Sequence, residues 1–345
     1  MHVETLTDPA AFRELQTEWL ELLAHMSFQS VFFTPQWQET WWRHFAADRN
    51  LCLLTVRSDD GALRGLAPLM GEAVSDASSR LVFIGDLEVC DYCDILVDPA
   101  YVDDVGMALV PALLAHTGDA GELWLSNLSS RSLTPALLHH GLEAHGLAVE
   151  IDAIETCPTI ALAENWESYL ATLRGKDRHE LRRKLRRAET SVELGYQLIR
   201  DVEHLDEALE TFFALHRMSQ QPDKQTFMTD TKAAFFRELA RRLGESGWFE
   251  LAFLYADGVA IAGLCCFPYG DTYAAYNAGY HPDYGHLSAG IVLFANRIRN
   301  AIDRRFTAFD FLRGNEPYKY RFGASDQPLS QLLANTACPV SGSCS

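Results

Sequence analysis

Two stretches in the C-terminal half hold residues at spacings that suit group-transfer chemistry. Residues Tyr276 to Gly290 read YNAGYHPDYGHLSAG. This predicts a strand ending in a glycine-bearing loop, then an amphipathic helix starting near Ser288. First-turn N–H groups have no partner within their helix, and the helix dipole favours negative charge, so the junction suits an anion such as a phosphate. Gly285 and Gly290 permit close approach of a ligand to the backbone; Ser288 also fits a plain N-cap. Residues Phe309 to Gly323 read FDFLRGNEPYKYRFG. Here a strand runs out into Arg313 and then into Asn315, Glu316, Tyr318, Lys319, Tyr320 and Arg321. Loops at strand ends are where binding and catalytic groups gather. The competing reading is a solvated charged turn with Asp310 and Arg313 as a structural ion pair. Tyr276, Asn277 and Arg313, at the two strand ends, are expected to contact substrate.

A third feature is the segment HELRRKLRRAE. Between Arg174 and Arg187 stand eight basic residues against two acids, a local +6 in a 345-residue chain of formal charge −18. Arg182 and Arg186 lie four apart on one helix face, and clustered guanidinium groups match phosphate oxygens. A solvated helix face is the ordinary alternative. In the N-terminal half, Asp91 and Tyr92 within CDYCD could bind an amine or a sugar hydroxyl, or cap a strand. Cys90 and Cys93 form a lone CxxC without a second pair at zinc-ligand spacing, so no metal site is expected.

These segments need a scaffold of strands and helices. LCLLTVR and ALRGLAPLM read as a hairpin through Asp59-Asp60-Gly61, and LAFLYADGVAIAGLCCF repeats the pattern through Asp257-Gly258. With helices between them, the echo predicts two related mixed α/β halves: an N-terminal domain at 1–155, a C-terminal domain at 156–329 and a flexible tail at 330–345. The acidic balance opposes DNA binding and membrane-surface binding by the molecule as a whole. No stretch is long and apolar enough for a membrane span, and no secretory signal is legible, so a cytoplasmic protein is expected.

The sequence resembles the GNAT-superfamily acyltransferases associated with cellulose and exopolysaccharide biosynthesis, relatives of the Fem-type peptidyltransferases. The resemblance rests on TPQWQETWWRHF, GDLEVCDYCDIL, LRGKDRHELRRKLRRAE, YNAGYHPDYGHLSAG and FDFLRGNEPYKYRFG, in that order, over about residues 30 to 323. It implies tandem GNAT-like domains and acyl transfer to an amine or hydroxyl of a small-molecule acceptor, such as a sugar or sugar nucleotide. Acyl-CoA, acetyl-CoA above all, is the implied donor. Gly285, His286, Leu287, Ser288, Ala289 and Gly290 resemble the GNAT loop that holds its pyrophosphate, although no Arg or Gln begins this one. Arg182 and Arg186 would assist it. Lys319 resembles the lysine that supports the reacting carbonyl in Fem-type enzymes, with Glu316 placed to accept the acceptor's proton. The Fem-type alternative is an aminoacyl-tRNA donor, whose backbone the basic helix would meet. A non-catalytic binding module in polysaccharide assembly is the third reading.

Overall fold

The computed structural model describes all residues except 48, 76–77, 86–88, 118–120, 220–226 and 340–345. Residues 86–88 of the GDLEVCDYCDIL segment therefore lie outside the described residues. The chain divides into two compact units, Met1–Glu155 with Gln327–Ser345, and Thr156–Asp326.

The first unit comprises β1 (His2–Leu6), α1 (Ala11–Glu14), α2 (Gln16–His25), α3 (Pro35–Phe45), β2 (Asn50–Arg57), β3 (Leu63–Ser75), β4 (Ser78–Phe83), β5 (Leu96–Val97), α4 (Val102–Thr117), β6 (Glu122–Ser129), α5 (Thr134–Ala144) and β7 (Leu147–Thr156). Thr34 caps α3 by accepting from the Trp37 N–H, and Pro35 occupies its first turn. The sheet runs β1-β2-β3-β4-β6-β14-β7, with β5 on β3. The pairs β1–β2, β2–β3, β3–β4, β3–β5 and β6–β14 are antiparallel, whereas β4 and β6 are parallel, Arg80, Leu81 and Val82 facing Glu122, Leu123 and Trp124. Strand β14 (Pro328–Pro339) comes from the far end of the chain.

That strand corrects two expectations. Residues 330–339 are not a loose tail, and the C-terminal domain does not run to 329. The chain leaves the second unit after Asp326 and pairs with β6, Leu329 opposite Ser129 and Leu333 opposite Trp124. The physical reason is burial: Leu329, Leu332 and Ala334 enter the core of the first unit. The small polar residues beside them mask that pattern in the sequence.

The second unit comprises β8 (Thr159–Ala161), α6 (Trp166–Thr172), α7 (Gly175–Ser191), β9 (Leu194–Ile199), α8 (Val202–Met218), α9 (Asp230–Gly244), β10 (Glu250–Ala256), β11 (Val259–Tyr269), β12 (Thr272–Tyr280), α10 (Ala289–Asp303), β13 (Ala308–Asp310) and α11 (Pro317–Arg321). Its sheet runs β8-β13-β12-β11-β10-β9 and is antiparallel except between β12 and β13. The β10–β11 hairpin turns through Asp257 and Gly258, both at positive φ, which is the backbone that matches strand twist. Helix α8 packs on β11 and β12, and α9 packs on α8, while α7 packs on α10 and α10 on β10, β11 and β12. Thus both halves are mixed sheets flanked by helices, as the repeated hairpin suggested.

Candidate functional site

The site begins with a mismatch of strand lengths. β12 and β13 pair in parallel over three positions, from Thr272 opposite Ala308 to Ala274 opposite Asp310. β12 then continues to Tyr280, while the chain beyond Asp310 turns away through Leu312 (φ 57°) and Gly314 (φ 109°). The separation leaves room beside the second half of β12. A cavity of about 310 Å³ occupies it, lined by Ala278, Tyr280, Gly285, Ser288, Ala289, Gly290, Ile291, Phe294 and Tyr318. No carboxylate and no cation lies among these lining side chains.

A β-bulge decides which side chains of β12 reach the cavity. Cys265 faces Asn277 but Cys266 faces Ala275, so Tyr276 is an extra residue. One extra residue reverses the sidedness of everything after it. Tyr276 packs at a tilt against Phe236 and Phe267, at 5.7 and 5.4 Å between ring centres. Asn277 Oδ1 meets His216 Nε2 at 3.1 Å on the α8 side. Gly279 faces the same way: a Cβ there would stand 2.4 Å from the His216 backbone nitrogen. Ala278 and Tyr280 therefore line the cavity, and the expected contacts Tyr276 and Asn277 do not.

The loop after β12 forms a 3-10 turn, Pro282–Leu287, capped by His281. Ser288 then adopts the left-handed conformation, φ 56° and ψ 43°, directly before α10. Its hydroxyl makes no cap bond to the helix, and the first turn of α10 carries no acid. The first-turn N–H groups thus stay unclaimed by a side-chain cap beside the cavity, in the positive field of the helix start. A Cβ at Gly285 or Gly290 would meet nothing within 4 Å, so both glycines border open space. Of the six loop residues expected to bind a donor, Gly285, Ser288, Ala289 and Gly290 line the cavity. Leu287 instead anchors the loop in the core, and His286 is exposed, its Nδ1 3.3 Å from the Asp283 carbonyl.

The basic helix contributes through a different arginine than expected. Arg182 is exposed and donates to Glu167 Oε2 at 2.9 Å, and Arg186 is exposed. Arg187 reaches the loop, donating from Nη2 to Ser288 Oγ at 2.9 Å.

Lys319 takes a place other than the one expected. It is 2% exposed and does not line the cavity. Its Nζ lies 3.0, 2.9 and 2.9 Å from the carbonyls of Leu312, Arg313 and Gly314, and 2.9 Å from Glu316 Oε2. An ammonium has three protons, so four oxygens saturate it. The pair Lys319–Glu316 locks the turn that follows β13, and the Lys319 ammonium has no proton left for a reacting carbonyl. Arg313 belongs to the same turn, its carbonyl accepting from Lys319, and it too is absent from the lining.

One position away, Tyr318 does line the cavity, packed on Phe294 at 5.4 Å and Phe311 at 6.1 Å. Burial, followed by the nearby Glu316 charge, raises its phenol well above the ordinary value. It therefore stays protonated, a donor rather than a base. Sequence reasoning had the segment but missed this residue.

Asp91 and Tyr92 are 8% and 2% exposed, inside the first unit. Tyr92 packs edge-on to Phe28 at 5.1 Å and to Phe32 at 6.1 Å. They are core groups, not an acceptor site. Cys90 and Cys93 are buried thiols, and Trp37 Nε1 donates to Cys90 Sγ at 2.8 Å. Among the described residues no group of three or more His, Cys, Asp or Glu is placed to hold a metal ion.

Residues 175–320 match the family model described as Acetyltransferase (GNAT) domain. The match covers most of the second unit. Solved structures extend the likeness to nearly the whole chain. FemX aligns at TM-score 0.68 with 13% identity, over 96% of this chain and 97% of that one. L-PGS from Bacillus licheniformis aligns at 0.55 with 13% identity, over 95% and 93%. The C-terminal domain of a putative lysylphosphatidylglycerol synthetase from Agrobacterium fabrum aligns at 0.54 with 12% identity, over 93% and 92%. At such identities the likeness concerns the fold. No curated protein matches the chain by sequence.

Proposed function

We propose that the second unit transfers an acyl group from an acyl-CoA, of which acetyl-CoA is the simplest, to an amine or hydroxyl acceptor. The observation that carries this reading is the cavity where β12 and β13 part, closed on one side by the uncapped start of α10. The donor's diphosphate would lie against the N–H groups after Ser288, with Gly285 and Gly290 leaving room for it. Its acyl thioester would enter the cavity between Tyr280, Phe294 and Tyr318. The acceptor's lone pair attacks the carbonyl carbon and the tetrahedral intermediate collapses with loss of the C–S bond. The Tyr318 phenol passes a proton to the departing thiolate and takes back the one that the acceptor's nitrogen or oxygen releases, so that the net transfer is from acceptor to thiol and the phenol ends as it began. Holding donor and acceptor together supplies much of the remaining acceleration.

The lining also favours acyl-CoA over an aminoacyl-tRNA. An aminoacyl group carries an α-ammonium, and among the described residues no carboxylate lines the cavity to pair with it. The exposed Arg182 and Arg186 remain the feature that speaks for tRNA. Following the family resemblance, the acceptor we propose is a sugar or sugar nucleotide of the kind used in exopolysaccharide synthesis. Side-by-side binding of acetyl-CoA and of charged tRNA at physiological salt tests the donor. Micromolar binding of acetyl-CoA with weak, salt-sensitive binding of tRNA is expected. Tight binding of charged tRNA with none of acetyl-CoA would overturn the proposal.

A further inference from the structure

We infer that Arg187 both fixes the donor loop and supplies the positive charge that the donor's phosphates meet, an inference that rests on the acyl-CoA reading. Arg187 stands on α7, 101 residues before the serine it grips. Ser288 holds a left-handed backbone that a residue with a Cβ adopts only when its surroundings impose it. The turn before it and the helix after it both depend on that one residue, and the Arg187 guanidinium is the side chain that secures its hydroxyl.

The bond has a second consequence. A serine before a helix ordinarily turns its oxygen onto the helix N–H groups, yet Ser288 makes no such bond. Arg187 draws the hydroxyl aside, and the N–H groups stay available. Arg187 also carries a buried Nε with no hydrogen-bond partner among the described residues. A guanidinium N–H out of water is unfavourable until an acceptor arrives. Elsewhere on α7, Arg182 is bound to Glu167 and Arg183 doubly to Glu180. Arg187 is instead tied to the loop. With no acid in the first turn of α10, its charge acts on the cavity mouth without opposition from that turn.

The test compares wild type, Arg187→Met, Ser288→Gly and the double variant, each checked for an unchanged melting temperature. Acetyl-CoA and S-acetylpantetheine, which has the thioester but no phosphate, are the probes. Arg187→Met should weaken acetyl-CoA binding roughly 10-fold or more and leave S-acetylpantetheine within about twofold. Ser288→Gly should cost less, because glycine adopts the left-handed backbone without help. In the glycine background, Arg187→Met should still weaken acetyl-CoA several-fold, since the charge is lost. Arg187→Lys, which keeps the charge but not the fork, should fall between. Wild-type affinity in Arg187→Met, or an equal loss for both probes, would overturn the inference and leave the acyl-CoA reading standing. A wild type that binds no acetyl-CoA would sink both.

Discussion

The two units share a device and use it differently. Each has a parallel strand pair joined by a crossing helix: β4, α4 and β6 in the first, β12, α10 and β13 in the second. In the second the strands part and leave about 310 Å³. In the first, the segment Cys90–Asp94 runs along β6 beyond the last parallel pair. Its Cys93 N–H donates to the Asn127 carbonyl, and Asn127 Nδ2 donates to the Cys90 carbonyl, both at 3.0 Å. The space left beside Asp94 is about 10 Å³, room for one water at most. Charge diverges as well. The first unit has seven Lys and Arg against 24 Asp and Glu, the second 22 against 23, and all five lysines lie in the second. Helix α4 starts with Asp103 and Asp104, whereas the first turn of α10 has no acid. On the proposed reading, the strand pair alone does not make an anion site; an open splay and a helix start free of acids are also needed.

The comparison can be broken at several points. The largest effect is expected from Lys319→Met. It would orphan three buried carbonyls and release Glu316, costing about 3 kcal/mol or more of stability. The melting temperature should fall steeply, while donor affinity at temperatures where the variant is folded stays near wild type. A wild-type melting curve with collapsed turnover would return the ammonium to the reacting carbonyl. Next comes Tyr318→Phe. It should lower kcat roughly 10- to 100-fold with donor affinity unchanged, because the ring's packing remains and the proton is lost. Turnover within twofold of wild type would remove the phenol from the chemistry.

The smallest effect concerns the filled site of the first unit. Asp94 is buried and accepts from Ser132 Oγ and Thr134 Oγ1, both at 2.6 Å. Burial raises its carboxyl from 3.8 to about 6, against the opposing pull of those hydroxyls. A raised folded-state value means that the folded chain holds this proton more tightly than the unfolded one. Its stabilising contribution is thus full below pH 3.8 and is lost as pH rises through about 6. Asp94→Asn should remove that slope from the pH-stability curve between those limits. Parallel curves for the two proteins would show that Asp94 titrates normally.

Much of this was legible in the sequence, and what was missed has a common physical cause. The hairpins at Asp59-Asp60-Gly61 and Asp257-Gly258 announced two related sheets, because turn chemistry is local. The edge strands β1 and β9 were not read, since they are short or only partly buried. β14 was missed because its partner β6 lies about 200 residues earlier. Of the expected loop, Gly285, Ser288, Ala289 and Gly290 line the cavity, whereas elsewhere the lining falls on neighbours of the expected residues: Tyr318 beside Lys319, and Ala278 and Tyr280 rather than Tyr276 and Asn277. On the basic helix it is Arg187, not Arg182 or Arg186, that reaches Ser288. Sequence spacing fixes a period, but a single bulge residue or the rotation of a short helix such as α11 fixes the phase. Asp91 and Tyr92 differ in another way: the polar motif lies buried in the first unit, in the segment that runs along β6.

The central claim is that one splay is a donor site and the other is closed. Calorimetric titration of wild type and Gly290→Val with acetyl-CoA tests it most directly. A valine side chain at Gly290 enters open space, so the variant should fold as wild type does. One acetyl-CoA per wild-type chain, with binding lost in folded Gly290→Val, is the predicted result. Two molecules per chain, or wild-type affinity in Gly290→Val, would contradict it.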